Sequence, residues 1–272
     1  MNIKKLNIRK KNSYSRFFGF SARKIKQKKF LNFCINKYIN RYDINLDDYI
    51  IPENGFQNFN EFFTRKIKPE LRPIGEGIVS PVDGFVYDKG LITENKTIFV
   101  KGNHYKFEEL AKDPSLVHKS YCVLYLSPSN YHRVHAPFDL YINSIKYIPG
   151  SLFSVNEKIL KQKANVYCRN ERILVRGNSD YGDFVIVFVG ATNVGKIKIH
   201  CEKRVKTNKW FAKIRNFSYD SPILVKKGSE LGLFEVGSTV ILFLDNEILN
   251  NICLEIDEEV KMGETLIETY QK

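Results

Sequence analysis

The sequence predicts an α+β fold: a mostly β core of antiparallel or mixed sheets, preceded by a helical, basic N-terminal region. Three observations carry this. From about residue 78 onward the chain is built of short β-type runs separated by Gly, Pro, Asn and Asp. Helical spacing is confined to the first 70 or so residues. The charge also divides along the chain. Residues 1–42 hold 13 of the 43 Lys and Arg and no acid, so the remainder balances 30 basic against 30 acidic residues. With 272 residues, 43% of them hydrophobic, the chain has the apolar material for a sizeable core, which excludes wholesale disorder.

Taken in order, the arm comes first. Phe30, Leu31, Cys34, Ile35, Tyr38 and Ile39 recur at helical spacing, with Lys24, Lys26, Lys28, Lys29, Lys37 and Arg41 between them. Four roles fit this pattern: a helix in an anionic membrane interface, a helix packed on the body, a nucleic-acid contact, or a transit peptide. Residues 43–72 carry polar turns, and the segment 58–66 reads as helix. Strands are expected over 97–100, 121–126, 139–148, 172–176, 184–189, 196–200 and 239–244. A weak repeat relates Val225-Lys-Lys-Gly228-Ser-Glu-Leu231 to Val260-Lys-Met-Gly263-Glu-Thr-Leu266. It has the pattern of a strand–turn–strand hairpin and by itself points to no chemistry.

Several classes are excluded. The N-terminus lacks the apolar segment of a secretory signal, and the longest apolar run, 184–194, is too short to span a bilayer. The five cysteines, 34, 122, 168, 201 and 253, are odd in number and form no C-x-x-C pair, so neither a disulfide scaffold nor a structural zinc site is expected. His200 and Cys201 are adjacent in sequence, point to opposite faces of a strand, and read as structural.

Four segments could carry chemistry. Ser80-Pro-Val-Asp83-Gly84 places a carboxylate in a turn. Tyr131-His132-Arg133-Val134-His135 sets two imidazoles three residues apart, suited to acid–base work, to a metal or to plain packing. Val189-Gly-Ala-Thr-Asn-Val-Gly195 reads as a loop between two apolar strands, as in a hairpin. Gly237-Ser238-Thr239 leads into the apolar run 240–244. An Asp, a His and a Ser are together what activation of a hydroxyl nucleophile requires. Most proteins offer some such trio, and on residues alone the question stays open.

Read together and in order, these segments resemble the phosphatidylserine decarboxylases. The likeness rests on Phe59-Asn-Glu-Phe-Phe-Thr-Arg65, Arg72-Pro73, Ser80-Pro-Val-Asp-Gly84, Tyr131-His-Arg-Val-His135, Pro149-Gly-Ser-Leu-Phe-Ser-Val-Asn156, Val189 to Gly195, Lys227-Gly228, Leu231-Gly232 and Gly237-Ser-Thr239. Val82 stands where the family commonly has Ala, and Val236 where Leu is best known, both apolar exchanges.

The resemblance implies a self-processing enzyme. Asp83 would orient His135, and His135 would deprotonate Ser238. Ser238 would attack the Gly237 carbonyl, giving a β chain, 1–237, and an α chain, 238–272, capped by a pyruvoyl cofactor derived from Ser238. That group would form an imine with phosphatidylserine and release CO2 to give phosphatidylethanolamine, with His132 serving decarboxylation or substrate positioning and no metal required. The implied domains are 1–72, helical and membrane-associated, and 73–272, the β-rich catalytic part. The implied partners are the lipid, an anionic membrane surface and the two cleaved chains as a heterodimer, with a homodimer open and nucleic acid excluded. The implied location is peripheral, on the cytoplasmic face of a bacterial membrane. Two rival readings are a biotinyl-like carrier module and a metallohydrolase on His132, His135 and Asp83.

Overall fold

The computed structural model describes residues 27–113, 118–192, 196–209, 211–235 and 238–268. The helical arm is present from Lys28 to Tyr42 (α1), and a short helix, α2, runs from Phe59 to Phe63. The Asn58 side chain caps α2 by accepting from the Glu61 N–H at 3.0 Å. Strands β1 (Tyr49–Ile50) and β2 (Lys66–Ile67) pair beside these helices. The remaining strands are β3 (Ile78–Val79), β4 (Gly84–Leu91), β5 (Thr97–Val100), β6 (Asn103–Lys106), β7 (Ser120–Leu126), β8 (Arg133–His135), β9 (Leu140–Ile148), β10 (Arg172–Ser179) and β11 (Gly182–Gly190). They continue with β12 (Ile197–Ile199), β13 (Arg215–Val225), β14 (Glu230–Phe234), β15 (Ser238–Leu244), β16 (Glu259–Val260) and β17 (Thr265–Ile267).

Among the described residues the largest sheet has eight strands in the order β13-β9-β10-β11-β15-β7-β4-β16, every pair antiparallel. Strand β15 lies in its interior, and all seven of its residues are buried, which is why this run reads as continuously apolar rather than alternating. A three-stranded sheet, β12-β14-β8, packs beside it. The sheet-rich α+β reading therefore holds, and each expected strand is present to within a few residues.

Two hairpin expectations change. The repeat is strand–turn–strand at both copies, but neither copy is a hairpin. Val225 ends β13 in the large sheet, and the chain turns through Gly228 into β14 of the small sheet. Val260 ends β16 in the large sheet, and the chain turns through Gly263 into β17, which pairs with β3. The repeat thus marks two corners where the chain leaves one sheet for another. Likewise β11 and β12 lie in different sheets, so the segment 189–195 is no hairpin; residues 193–195 lie outside the described residues.

The arm forms a helix that packs on the body. Leu31 and Ile35 are buried in a cluster with Ile44, Tyr49, Phe56, Phe59, Phe62, Phe63, Ile67, Tyr131 and Met262, and Cys34, Tyr38 and Ile39 pack against it. The apolar stripe of α1 is therefore spent on the body, as the packed-helix reading expects. Phe30, read as part of that stripe, faces outward at 52% exposure, beside Phe33 at 61%. Lys28, Lys29, Lys37 and Arg41 are exposed, while Lys24 and Lys26 lie outside the described residues. No helix of the described residues is long and apolar enough to cross a membrane.

Gly263 has φ +87°, and a Cβ there would stand 2.7 Å from the Pro73 carbonyl oxygen. Gly55 also has positive φ, with nothing within 4 Å of its Cβ position. Alanine at either site takes the left-handed penalty of about 1–2 kcal/mol. Gly263→Ala should lose about 1–3 kcal/mol more than Gly55→Ala in urea unfolding, because its methyl has no room. Equal losses would show that the corner is not closely packed.

Candidate active site

The segment 80–84 lies against β8, the strand that carries His135. The His135 N–H donates to Pro81 O at 2.8 Å and the Val79 N–H to Pro137 O at 3.0 Å. Asp83 follows at the end of this turn and is buried. Its Oδ1 accepts from Arg72 Nε at 3.0 Å and from the Met262 N–H at 2.7 Å, while Oδ2 accepts from Arg72 Nη2 at 2.6 Å. A carboxylate out of water needs such partners, and a two-pronged guanidinium with a backbone N–H is a strong set.

His135 sits at the end of β8, half-buried. Its Nδ1 faces Gly228 O at 2.7 Å, and because a carbonyl only accepts, Nδ1 carries the proton. That leaves a lone pair on Nε2, which accepts from the Tyr131 hydroxyl at 3.0 Å. Burial lowers the His135 pKa, opposed by the Gly228 carbonyl and by the charges of Glu230 and Asp83, so the ring is neutral at pH 7. The hydrogen bonds of Asp83 go to Arg72 and Met262, and both nitrogens of His135 are engaged elsewhere.

His132 is fully buried. Its Nδ1 donates to Asn130 O at 2.8 Å, its ring lies 4.3 Å from the Phe63 ring between centroids, and burial pushes its pKa down to about 3. The Nε2 lone pair has no hydrogen-bond partner among the described residues. The loop that carries it is clamped by the N-terminal elements. Tyr38 Oη donates to Pro128 O at 3.1 Å, Arg65 Nη2 to Ser129 O at 2.8 Å, and Arg133 Nε to Thr64 O at 2.9 Å.

Ser238 opens β15, opposite Gly190 on one side and Leu126 on the other. It is fully buried, and its hydroxyl has no hydrogen-bond partner among the described residues. An unpaired buried hydroxyl costs about 1–3 kcal/mol and calls for an explanation. The fold brings His132 to the same end of the sheet: the turn 127–130 follows directly from Leu126, and the Phe234 N–H donates to His132 O at 3.0 Å. Gly237 lies outside the described residues. No three His, Cys, Asp or Glu side chains among the described residues are grouped to hold a metal.

Residues 59–268 match the family described as phosphatidylserine decarboxylase. The chain belongs to the phosphatidylserine decarboxylase family. Curated relatives named phosphatidylserine decarboxylase proenzyme agree. The Campylobacter jejuni protein is 38% identical over 267 residues, covering 93% of this chain and 97% of its own. That of Nitrosospira multiformis is 37% identical over 243 residues, covering 85% and 84%. That of Helicobacter pylori is 34% identical over 266 residues, covering 95% and 97%. The chain is accordingly an enzyme of the decarboxylase class.

Sequence reasoning singled out Asp83, His132, His135 and Ser238 and missed what holds the first three. Arg72 was seen only as half of an Arg-Pro motif. Gly228 and Met262 belong to the repeat that pointed to no chemistry, yet Gly228 fixes the His135 tautomer and Met262 binds Asp83. Tyr131 was read only as a neighbour of the histidines.

Two outcomes are expected. Arg72→Met leaves Asp83 buried without its cation and should cost about 3–5 kcal/mol in urea unfolding. Acid should also destabilise the fold. Burial sets His118 to about 4 and His132 to about 3, against about 6.5 in the unfolded chain. Their stabilising contribution is complete above pH 6.5 and is lost as the pH falls toward 4 and 3, because only the unfolded chain takes up the protons. Each histidine contributes a slope of up to about 1.4 kcal/mol per pH unit, and His118→Gln should flatten it. A urea midpoint unchanged between pH 7 and 5 would falsify this.

Proposed function

We propose that the chain decarboxylates phosphatidylserine to phosphatidylethanolamine after cutting itself between Gly237 and Ser238. The observation that carries the reading is the Ser238 hydroxyl, buried without a partner among the described residues at the head of an interior strand, inside the span that matches the family.

In the first stage His135 takes the Ser238 proton at Nε2, the atom that carries its lone pair, and Tyr131 must release that atom first. Asp83 stabilises the resulting imidazolium by charge, and the Gly228 carbonyl holds the ring in the competent tautomer. Ser238 Oγ then attacks the Gly237 carbonyl carbon and the peptide bond shifts from amide to ester. Loss of the Ser238 Cα proton expels the Gly237 carboxylate and leaves dehydroalanine. Water converts this to a pyruvoyl terminus and ammonia. The attack is intramolecular, so placement supplies most of its acceleration.

The unpaired Ser238 oxygen and its sealed surroundings suit such a terminus. The pyruvoyl group supplies the electron sink for loss of CO2. His132 positions the substrate or moves a proton at Nε2, whose lone pair has no partner among the described residues. Residues 1–72 form the membrane-associated part and 73–272 the catalytic part, and the two cleaved chains stay together as a heterodimer. The basic arm draws the protein to an anionic surface, the cytoplasmic face of a bacterial membrane.

A second reading exchanges the histidines, and one observation favours it. Among the described residues His132 Nε2 and Ser238 Oγ both lack a partner, whereas both nitrogens of His135 are engaged. Intact-mass spectrometry decides. The wild type should appear as two chains, the smaller lacking an α-amine, and Ser238→Ala as one chain of 31.7 kDa. His135→Ala should stay uncut, and His132→Ala should cut but decarboxylate poorly. The opposite pattern supports the exchange, and an active, uncut wild type overturns the whole reading.

A further inference from the structure

The balance of charge beyond residue 42 conceals one strongly basic segment. Residues 203–215 hold six Lys and Arg and no acid: Lys203, Arg204, Lys206, Lys209, Lys213 and Arg215. All six are exposed. Arg204 is paired with Glu202 at 2.5 Å, so a clear positive excess remains on the surface. Set among these cations are two apolar side chains turned outward, Phe211 at 87% and Ile214 at 50% exposure. Phe211 is more exposed than any other large hydrophobic residue among the described residues. An exposed aromatic ringed by lysines combines burial with attraction to anions, the pairing that interfacial membrane contacts use.

The segment is anchored beside the reacting end of the large sheet. Thr207 Oγ1 accepts from the Ile197 N–H at 2.9 Å, and the Asn208 N–H donates to Glu171 Oε1 at 2.7 Å. Glu171 O in turn accepts from the Gly190 N–H at 2.9 Å, and Gly190 faces Ser238 across the ladder. Phe211 follows Asn208 by three residues, at most about 11 Å of chain. A nucleic acid would satisfy the charges and stack on Phe211, but it gives no account of an outward Ile214.

We infer that this surface, formed by Lys203, Lys206, Phe211, Lys213, Ile214 and Arg215, is a second contact with an anionic bilayer, separate from the N-terminal arm. It rests on the lipid-substrate reading and adds to it that the Ser238 end of the sheet is held against the interface from the body. The arm and the loop then share the docking. The arm's stripe is spent on the body and leaves Phe30 and Phe33 outward on α1, while Phe211 and Ile214 on the loop supply inserted side chains nearer the site.

The single tryptophan of the chain, Trp210, precedes Phe211 in sequence and reports on the loop without any substitution. With full-length protein and vesicles of phosphatidylcholine and phosphatidylserine, Trp210 emission should move to shorter wavelength and be quenched by brominated acyl chains. Vesicles of phosphatidylcholine alone should give neither effect. Lys203→Gln, Lys206→Gln and Lys213→Gln should each lower the partition coefficient about fivefold in low salt. Phe211→Ser should lower it about tenfold or more, and that loss should persist in high salt. Cleavage at Ser238 should proceed in all four variants. The inference is overturned if the protein sediments with anionic vesicles while Trp210 emission and the variants' partitioning stay unchanged, since the arm then docks alone. It is equally overturned if the protein fails to sediment at all. In either case the decarboxylase reading stands or falls separately, on chain cleavage and CO2 release.

Discussion

Asp83 is a carboxylate taken almost wholly out of water, and much else in the molecule is arranged around that fact. Without a cation its burial would cost several kcal/mol, and Arg72 supplies the cation with two prongs. Holding Arg72 in place fixes Pro73 and Ile74. Both corners of the repeat press on these two residues, Gly228 against the Ile74 side chain and Gly263 against the Pro73 carbonyl. Gly228 then presents its carbonyl to His135, and Met262, next to Gly263, returns its N–H to Asp83. The ion pair, the two corners and the histidine tautomer therefore form one closed circuit of contacts. The circuit joins Arg72 to His135 through contacts at the two corners.

Much of this was legible in the sequence, and what was not has a common physical reason. Strands buried on both faces announce themselves as apolar runs, so β7, β11 and β15 were read nearly to the residue. Strand β13 was missed because it is an exposed edge, with polar residues along most of its length. Pairing partners were also hidden. Nothing local in Val-Lys-x-Gly-x-x-Leu tells whether two strands pair with each other or part to different sheets, since both outcomes need the same left-handed glycine. The site residues were visible as types. Their supports were not, because Gly228 and Met262 act through backbone atoms, which every residue possesses.

The N-terminal helix shows how one amphipathic pattern can serve two surfaces. Its stripe packs against α2, and α2 in turn lays Phe63 on the His132 ring. Tyr38 and Arg65 hold the loop before that histidine. What touches solvent is the other side of the helix, with its lysines and with Phe30 and Phe33. The elements nearest the outside of the molecule are thus only two contacts from a buried imidazole. A force applied to α1 by anything it docks on has a short mechanical route to the site.

The interior position of β15 bears on the history of the molecule as well as its chemistry. A chain cut before Ser238 would keep this strand bonded along its length to β11 and β7, with β16 paired to β4 at the edge of the same sheet and β17 paired to β3 in another. The 35 residues from 238 to 272 are too few to form a core of their own, and the larger piece would lack the strand that closes its central sheet. Unfolding before the cut is a step that the intact chain can retrace. After it, the two pieces must find each other again from solution, each without a stable fold to wait in. Maturation would thus turn a reversible fold into one kept by the height of its unfolding barrier, so that the working lifetime of the enzyme becomes a matter of rate.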